Sequence, residues 1–168
     1  DEPAGVLAML HLLGQEDRLR WLARRAQIVL FPCTNPTGYE RGTRENRDGI
    51  DLNRTYRSRR PPLEVRIMRT VLDPLEHDLS LEFHEDVDTP GFYLYELVRG
   101  RAPRWGNRVI DRVARRYPIN LDAEIDELPA RGGIISPQSF HNPFDRWVER
   151  RRDWPQALYQ YAKGTRYC

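Results

Sequence analysis

The sequence predicts an α/β domain in which helices sandwich a mixed, largely parallel β-sheet. Three observations predict it. Short apolar runs alternate along the chain with amphipathic helical segments, which is typical of parallel or mixed sheets. The 168-residue length suits one compact domain, and 39% hydrophobic residues are enough for a core. No repeat, linker or low-complexity stretch divides the chain, so we expect residues 1–168 to form a single domain.

The helices are predicted by apolar residues that recur every three or four positions. The first has Pro3 at its start and Gly14 at its end, as the local preferences of these residues favour. The predicted helices cover residues 4–13, 16–25, 62–77, 102–116 and 156–163. One face of the helix over 62–77 carries the apolar side chains that we expect it to bury: Leu63, Ile67, Val71 and Leu75.

The strands are predicted by the apolar runs between these helices. The run over residues 26–31 is of the kind that fills a buried strand with both faces covered. A glycine pair at 132–133 indicates a turn into another short strand. The predicted strands cover residues 26–31, 79–84, 91–97 and 134–135, and residues 165–168 are expected to open one more.

Composition and the chain ends exclude several classes of protein. The net charge of +2 is too close to balance for a dedicated nucleic-acid binder, and no apolar run is long enough to span a bilayer. Cys33 and Cys168 form no metal or disulfide pattern and are expected to be structural thiols.

Because both ends run through predicted structure, we expect an incomplete domain. The absence of a leader pattern favours the cytoplasm, although a missing N-terminus leaves the compartment open.

Polar side chains with catalytic chemistry follow two of the predicted strands. His84, Glu85 and Asp86 end the strand over 79–84, and the strand over 26–31 leads into a long polar loop that reaches residue 53. Ligands of α/β sheets gather at such strand ends, and functional loops are often this long. Histidine is a common zinc ligand, and arginine binds carboxylates and oxyanions. Each feature alone is also typical of structural residues, but together they indicate a site at one sheet edge.

Three blocks of sequence carry a family resemblance. Residues 35–54 contain Asn-Pro-Thr-Gly, then Thr-Arg-Glu-Asn, then Gly-Ile-Asp-Leu-Asn-Arg. Residues 1–5 read Asp-Glu-Pro-Ala-Gly, and residues 81–84 read Leu-Glu-Phe-His. In this order they resemble the zinc carboxypeptidases of the carboxypeptidase A superfamily, which also includes murein-peptide amidases, succinylglutamate desuccinylases and aspartoacylases. Residues 35–54 are similar to the family's substrate-binding signature. Residues 1–5 are similar to the end of its His-x-x-Glu zinc motif, and residues 81–84 to the strand with its second zinc histidine.

The resemblance implies a role for five residues. Glu2 and His84 would be ligands of a Zn²⁺ cofactor, and Arg44 would stabilise the oxyanion that develops at the scissile carbonyl. Asn53 and Arg54 would hold the terminal carboxylate of the substrate. The zinc would supply hydroxide at neutral pH, and a general-base glutamate would pass its proton to the leaving amine.

The resemblance also implies two residues that the chain does not supply. The family's first zinc histidine would stand two positions before Asp1, and its general-base glutamate would follow Cys168. A catalytic zinc site needs three protein ligands. We therefore expect the fragment alone to bind zinc poorly and to have little or no activity.

The predicted function is that of a zinc metallocarboxypeptidase, which removes the C-terminal residue of a peptide. One alternative is a deacylase of N-acyl amino acids, related to desuccinylases and aspartoacylases. Another is a non-catalytic module that binds carboxylates through Arg44, Asn53 and Arg54. The expected partner is a peptide or acylated amino acid with a free carboxylate, with no nucleic acid and no membrane span.

Four further polar residues have a structural interpretation beside a functional one. Glu85 and Asp86 are expected either to orient the imidazole or to be solvated at a strand end. Tyr93 and Tyr95 alternate along a predicted strand and are expected to be packing residues rather than catalytic acids.

Overall fold

The computed structural model describes residues 2–141 and 143–168. Helices dominate this part of the chain, and the strands in it are short. The α-helices are α1 (Pro3–Leu13), α2 (Glu16–Ala23), α3 (Pro36–Arg41), α4 (Leu63–Leu72), α5 (Gly106–Val113), α6 (Phe144–Arg150) and α7 (Gln156–Ala162). Single 3₁₀ turns lie at Leu52–Arg54 and Pro137–Ser139. The strands are β1 (Leu94–Tyr95), β2 (Glu124–Ile125), β3 (Leu128–Arg131) and β4 (Ile134–Ile135).

The four strands form one mixed sheet in the order β1-β4-β3-β2. β1 pairs with β4 in parallel, whereas β3 pairs with β4 and β2 pairs with β3 in antiparallel fashion. The glycine turn at 132–133 joins β3 to β4, as its sequence predicted. The α/β class and the mixed sheet are therefore confirmed, with one parallel pair among the three pairs of named strands.

Isolated bridges extend this pairing beyond the named strands. Tyr167 pairs in parallel with Leu79 and in antiparallel fashion with Val98. Cys168 and Leu97 exchange both backbone hydrogen bonds, at 2.7 and 2.9 Å. Residues 165–168 thus lie between two extended segments, in the way that the opening of a strand would. Only the first two residues of the strand predicted over 79–84 take part in this pairing.

The strand predicted over residues 26–31 is wrong for the part of the chain that the structure describes. Beyond Ala26, which donates to Leu22 at the end of α2, this run has no backbone hydrogen bond to another described segment. Ile28 is exposed rather than buried on both faces. An apolar run becomes a strand only where a neighbouring segment offers its backbone groups, and periodicity alone does not report such a neighbour.

The main core lies where α4, α6 and α7 pack around the 3₁₀ turn at 52–54. Its centre is Val65, which is fully buried, and Tyr56, whose hydroxyl donates to Gln156 Oε1 at 2.7 Å. The other buried members are Leu52, Met68, Leu72, Leu97, Phe144, Val148, Trp154, Leu158, Tyr159 and Tyr161. This core holds the loop that ends at residue 54 against the C-terminal helices.

The predicted buried face of α4 is the wrong one. Leu63 and Ile67 are 58% and 55% exposed, and Val71 is exposed as well, whereas Val65, Met68 and Leu72 are buried. Both sets recur at helical spacing, so the sequence could not tell them apart. Tyr56 and Tyr159 lie on the buried side of α4. α4 also ends at Leu72, short of the predicted residue 77, because Pro74 has no N–H to continue the helix.

α5 is shorter at both ends than the predicted helix over 102–116. Its start is fixed by Glu96, whose carboxylate accepts from the Gly106 N–H at 2.7 Å and from the Tyr167 hydroxyl at 2.9 Å. Arg104 donates to the other oxygen of this carboxylate at 2.9 Å.

No helix formed by the described residues is long and apolar enough to cross a membrane.

The reversed orientation of α4 can be tested with two neighbouring residues. We expect Met68→Ala to lower the free energy of unfolding by about 2–5 kcal/mol, because it leaves a cavity in the core. Ile67→Ala, one position earlier on the exposed face, should change it by less than about 1 kcal/mol. Urea denaturation of both variants measures the difference. A larger loss for Ile67→Ala would contradict the orientation.

Candidate active site

The start of α1 lies directly against the segment that carries His84. Gly5 makes this approach close enough, since a Cβ at that position would stand 2.9 Å from the Cβ of Phe83. The Glu85 carboxylate accepts from the Ala4 N–H and so caps the first turn of α1. In return, the Glu85 N–H donates to Glu2 Oε2 at 3.3 Å. Residues 2–5 and 83–85 therefore hold each other in register.

Glu2 and His84, both predicted as metal ligands, meet in this arrangement. Glu2 Oε2 lies 2.7 Å from His84 Nδ1, although the residues are 82 positions apart in the chain. Burial would raise the pKa of Glu2, but the hydrogen bond and charge of His84 outweigh it and the pKa is lowered. The hydrogen bond to Glu2, with help from Glu82, raises the pKa of His84 to about 9.

Arg44 completes the cluster and is held by Asp51. Its Nε donates to Asp51 Oδ2 at 2.8 Å, and its NH1 group lies 3.7 Å from Glu2 Oε1. The hydrogen bond to Asp51 is the main reason why the pKa of Arg44 is raised. The structure thus brings together three of the five predicted site residues. Asp51, which the sequence analysis quoted without a role, is the residue that orients Arg44.

The Asn-Pro-Thr-Gly block supports Arg44 from the backbone side. Asn35 caps α3 by accepting from the Gly38 N–H at 3.0 Å, and its Nδ2 donates to the carbonyl oxygen of Arg44 at 3.0 Å. Gly38 has no room for a side chain, because a Cβ there would stand 2.6 Å from the Thr43 carbonyl oxygen. This part of the motif is therefore a scaffold for the loop.

Asn53 and Arg54 lie on the other side of Asp51 and contact neither Glu2 nor His84. Asp51 Oδ1 accepts from the Asn53 N–H at 2.9 Å. Asn53 Oδ1 accepts from the Gln156 N–H at the start of α7, also at 2.9 Å. This leaves the Asn53 Nδ2 group as a donor. The exposed Arg54 side chain has its Nε 3.6 Å from Asp153 Oδ2.

Glu82 is a further acidic residue at the site, and the sequence analysis assigned it no role. Its Oε2 lies 3.9 Å from His84 Nε2, on the opposite side of the ring from Glu2. Its Oε1 is buried and has no hydrogen-bond partner among the described residues. Burial raises the pKa of Glu82, and the neighbouring His84 opposes that rise. Its place two residues before a candidate ligand was the only signal that the sequence offered.

Glu85 and Asp86 are exposed at the end of the predicted strand, which is one of the two expectations for them, and each has a partner other than His84. Glu85 caps α1, and Asp86 accepts from the Tyr93 hydroxyl at 2.7 Å, so neither carboxylate orients the imidazole. Tyr93 and Tyr95 do contact each other, with ring centroids 6.2 Å apart. They are not packing residues alone, because the hydroxyl of Tyr95 donates to Asp126 in the β2–β3 turn.

The donor set fits zinc in kind but is incomplete in number. A carboxylate oxygen and an imidazole nitrogen that face each other at 2.7 Å are both zinc donors. Among residues 2–141 and 143–168, no group of three His, Cys, Asp or Glu side chains could hold a metal ion. Asp1 of the zinc-motif block lies outside the described residues. Glu2 and His84 can therefore supply two ligands of a zinc site.

Comparisons with known proteins confirm the resemblance to the zinc carboxypeptidases. The profile of that family matches residues 3–65, which include the block over residues 35–54. The chain is similar to crystal structures of candidate metallopeptidases from Shewanella amazonensis SB2B, with 27% identity and a TM-score of 0.76, and Shewanella baltica OS155, with 26% and 0.74. A third, from Shewanella denitrificans OS217, has 25% identity and a TM-score of 0.70.

These structures are longer than the chain. Each similarity covers 99% of this chain but only 59% of the Shewanella denitrificans structure and 61% of the other two. The chain therefore spans about three fifths of the length of the solved structures that it matches. The comparison with curated proteins found no match.

The Glu2–His84 contact predicts how stability depends on pH in the metal-free protein. The folded pKa of His84, about 9, lies above its ordinary value of 6.5, so the folded state holds this proton more tightly. The stabilisation is fully present below pH 6.5 and is lost as the pH rises through about 9. Urea denaturation across this interval should show the decline, and His84→Gln should remove it. The same decline in His84→Gln would contradict the contact.

Proposed function

We propose that this chain carries the ligand pair and the carboxylate-binding residues of a zinc-dependent carboxypeptidase, which removes the C-terminal residue of a peptide. The observation that carries the proposal is the 2.7 Å contact between Glu2 and His84, with the Arg44 guanidinium 3.7 Å from Glu2. Two zinc donors beside a fixed cation suit the hydrolysis of a carbonyl compound. Because the chain spans about three fifths of the matched structures, the activity is proposed for the whole protein.

Glu2 and His84 would hold the zinc, which when bound activates a water molecule for attack on the scissile carbonyl. Arg44 stays in place through Asp51, which binds its Nε and leaves the terminal nitrogens on the side of Glu2. A donor fixed before the reaction stabilises developing negative charge without reorganising. This supports Arg44 as the group that faces the oxyanion.

Asn53 and Arg54 would bind the terminal carboxylate of the substrate. The Gln156 N–H donates to the side-chain oxygen Oδ1 of Asn53, so the side-chain amide presents its Nδ2 donor in a fixed orientation. Arg54 is exposed, and its ion pair with Asp153 at 3.6 Å is loose. A substrate carboxylate could replace Asp153 and gain two parallel hydrogen bonds from the guanidinium.

A second candidate function is carboxylate binding without hydrolysis. The observation in its favour is that the described residues supply no third metal ligand. It predicts peptide binding that a chelator does not affect, whereas the carboxypeptidase predicts hydrolysis that a chelator abolishes. Deacylation of N-acyl amino acids has no separate observation in its favour here. It is distinguished by comparing N-acyl amino acids with peptides as substrates of the whole protein.

The ligand pair can be tested by zinc titration of the purified chain. We expect His84→Ala and Glu2→Ala each to weaken zinc binding at least about tenfold, because each removes one of two donors. His77→Ala is the matched control, since the ring of His77 faces the carbonyl oxygen of Leu72 at the end of α4. Zinc binding that is equal in the unmodified chain and in His84→Ala would refute the assignment.

The carboxylate-binding residues can be tested with a peptide and its C-terminal amide. We expect the free acid to bind more tightly, and Arg54→Ala to raise its Kd by about tenfold or more, the scale of a lost charged hydrogen bond. Arg57→Ala is the control, because Arg57 stacks on Trp154 and donates to the Glu149 carbonyl oxygen. Equal binding of acid and amide to the unmodified chain would contradict the role of Arg54.

A further inference from the structure

The packing of the fold does not explain why the carboxylate of Glu82 is buried. Its side chain is only 17% exposed, and one of its oxygens is buried without a hydrogen-bond partner among the described residues. Buried carboxylates are costly, and an unpartnered oxygen on one points to a role beyond packing.

Glu82 forms an ion pair with the imidazole of His84. Glu82 Oε2 lies 3.9 Å from Nε2, while Glu2 Oε2 lies 2.7 Å from Nδ1. The ring is therefore placed between two carboxylates, one at each nitrogen. The other acidic groups nearby are already engaged, since Glu85 caps α1 and Asp86 accepts from Tyr93. Glu82 is the described carboxylate that faces Nε2.

We propose that Glu82 is a positioning residue that holds the His84 ring with Nδ1 turned towards Glu2. The metal-related part of this inference rests on the proposed function, in which Glu2 and His84 bind zinc. An imidazole that binds a metal through one nitrogen carries its proton on the other. A carboxylate at that second nitrogen fixes both the tautomer and the orientation of the ring. Glu82 stands where such a partner is needed.

The distance of 3.9 Å is an ion-pair distance and is too long for a hydrogen bond. A small rotation of either side chain would close it, and contacts of this kind often tighten only when a site is loaded. Oε1 has no hydrogen bond to a described residue, so turning the carboxylate towards His84 would break none at that oxygen. The Glu82 carboxylate thus already lies at ion-pair distance from His84, and a side-chain movement completes the hydrogen bond.

The test compares Glu82→Gln with Glu64→Gln. The control carboxylate is also partly buried, but it accepts from Asn46 at 3.2 Å and is away from His84. The first readout is solvent exchange of the His84 Nε2–H proton, measured by NMR in the metal-free protein at one fixed pH for all variants. We expect faster exchange in Glu82→Gln and no change in Glu64→Gln. If Glu82 had only a structural role, Glu82→Gln would alter the melting temperature but not the exchange rate of this proton.

The second readout is zinc affinity, measured by competition with a chelator. We expect Glu82→Gln to raise the zinc Kd by about 10- to 100-fold, the usual effect of losing the partner of a metal-binding histidine. Unchanged proton exchange together with unchanged zinc affinity would overturn the positioning role. If His84→Ala leaves the zinc affinity of the unmodified chain unchanged, the ligand pair of the proposed function fails. The proton-exchange readout then still decides whether Glu82 positions His84.

Discussion

The contact between Glu2 and His84 is the interaction on which the candidate site depends. It joins the start of α1 to a segment 82 residues later and brings a carboxylate and an imidazole to 2.7 Å. Further contacts between the same two segments support it. Gly5 allows the close approach to Phe83, and the Glu85 carboxylate caps the first turn of α1. A short helix start and an extended segment thus fix a pair of donors without a regular sheet between them.

The sequence predicted which residues lie together at the candidate site better than it predicted the secondary structure around them. Glu2, Arg44 and His84 were identified because their residue types and order match a family pattern, and the structure brings these three together. The strand over 26–31 and the buried face of α4 were wrong for a different reason. Strand pairing and helix orientation depend on which distant segment lies alongside, and hydrophobic periodicity does not contain that information.

Glu82 and Asp51 show a second limit of sequence reasoning. Each lies within one of the sequence blocks that carry the family resemblance, yet the sequence does not indicate what either side chain contacts. Asp51 acts through Arg44, and Glu82 faces the far nitrogen of His84. Residues that orient a functional group are specified by geometry across the fold, and many polar residues at those positions would look equally ordinary in a sequence.

Asp51 also explains how two separately supported groups of residues can act as one site. Its Oδ2 holds Arg44, which lies beside the Glu2–His84 pair on α1 and the segment around residue 84. Its Oδ1 holds the backbone of Asn53, whose side chain is anchored to the start of α7. The candidate metal-binding and carboxylate-binding groups therefore share the carboxylate of Asp51. Under the proposed function, Asp51 would help to set the spacing between a bound terminal carboxylate and the scissile carbonyl.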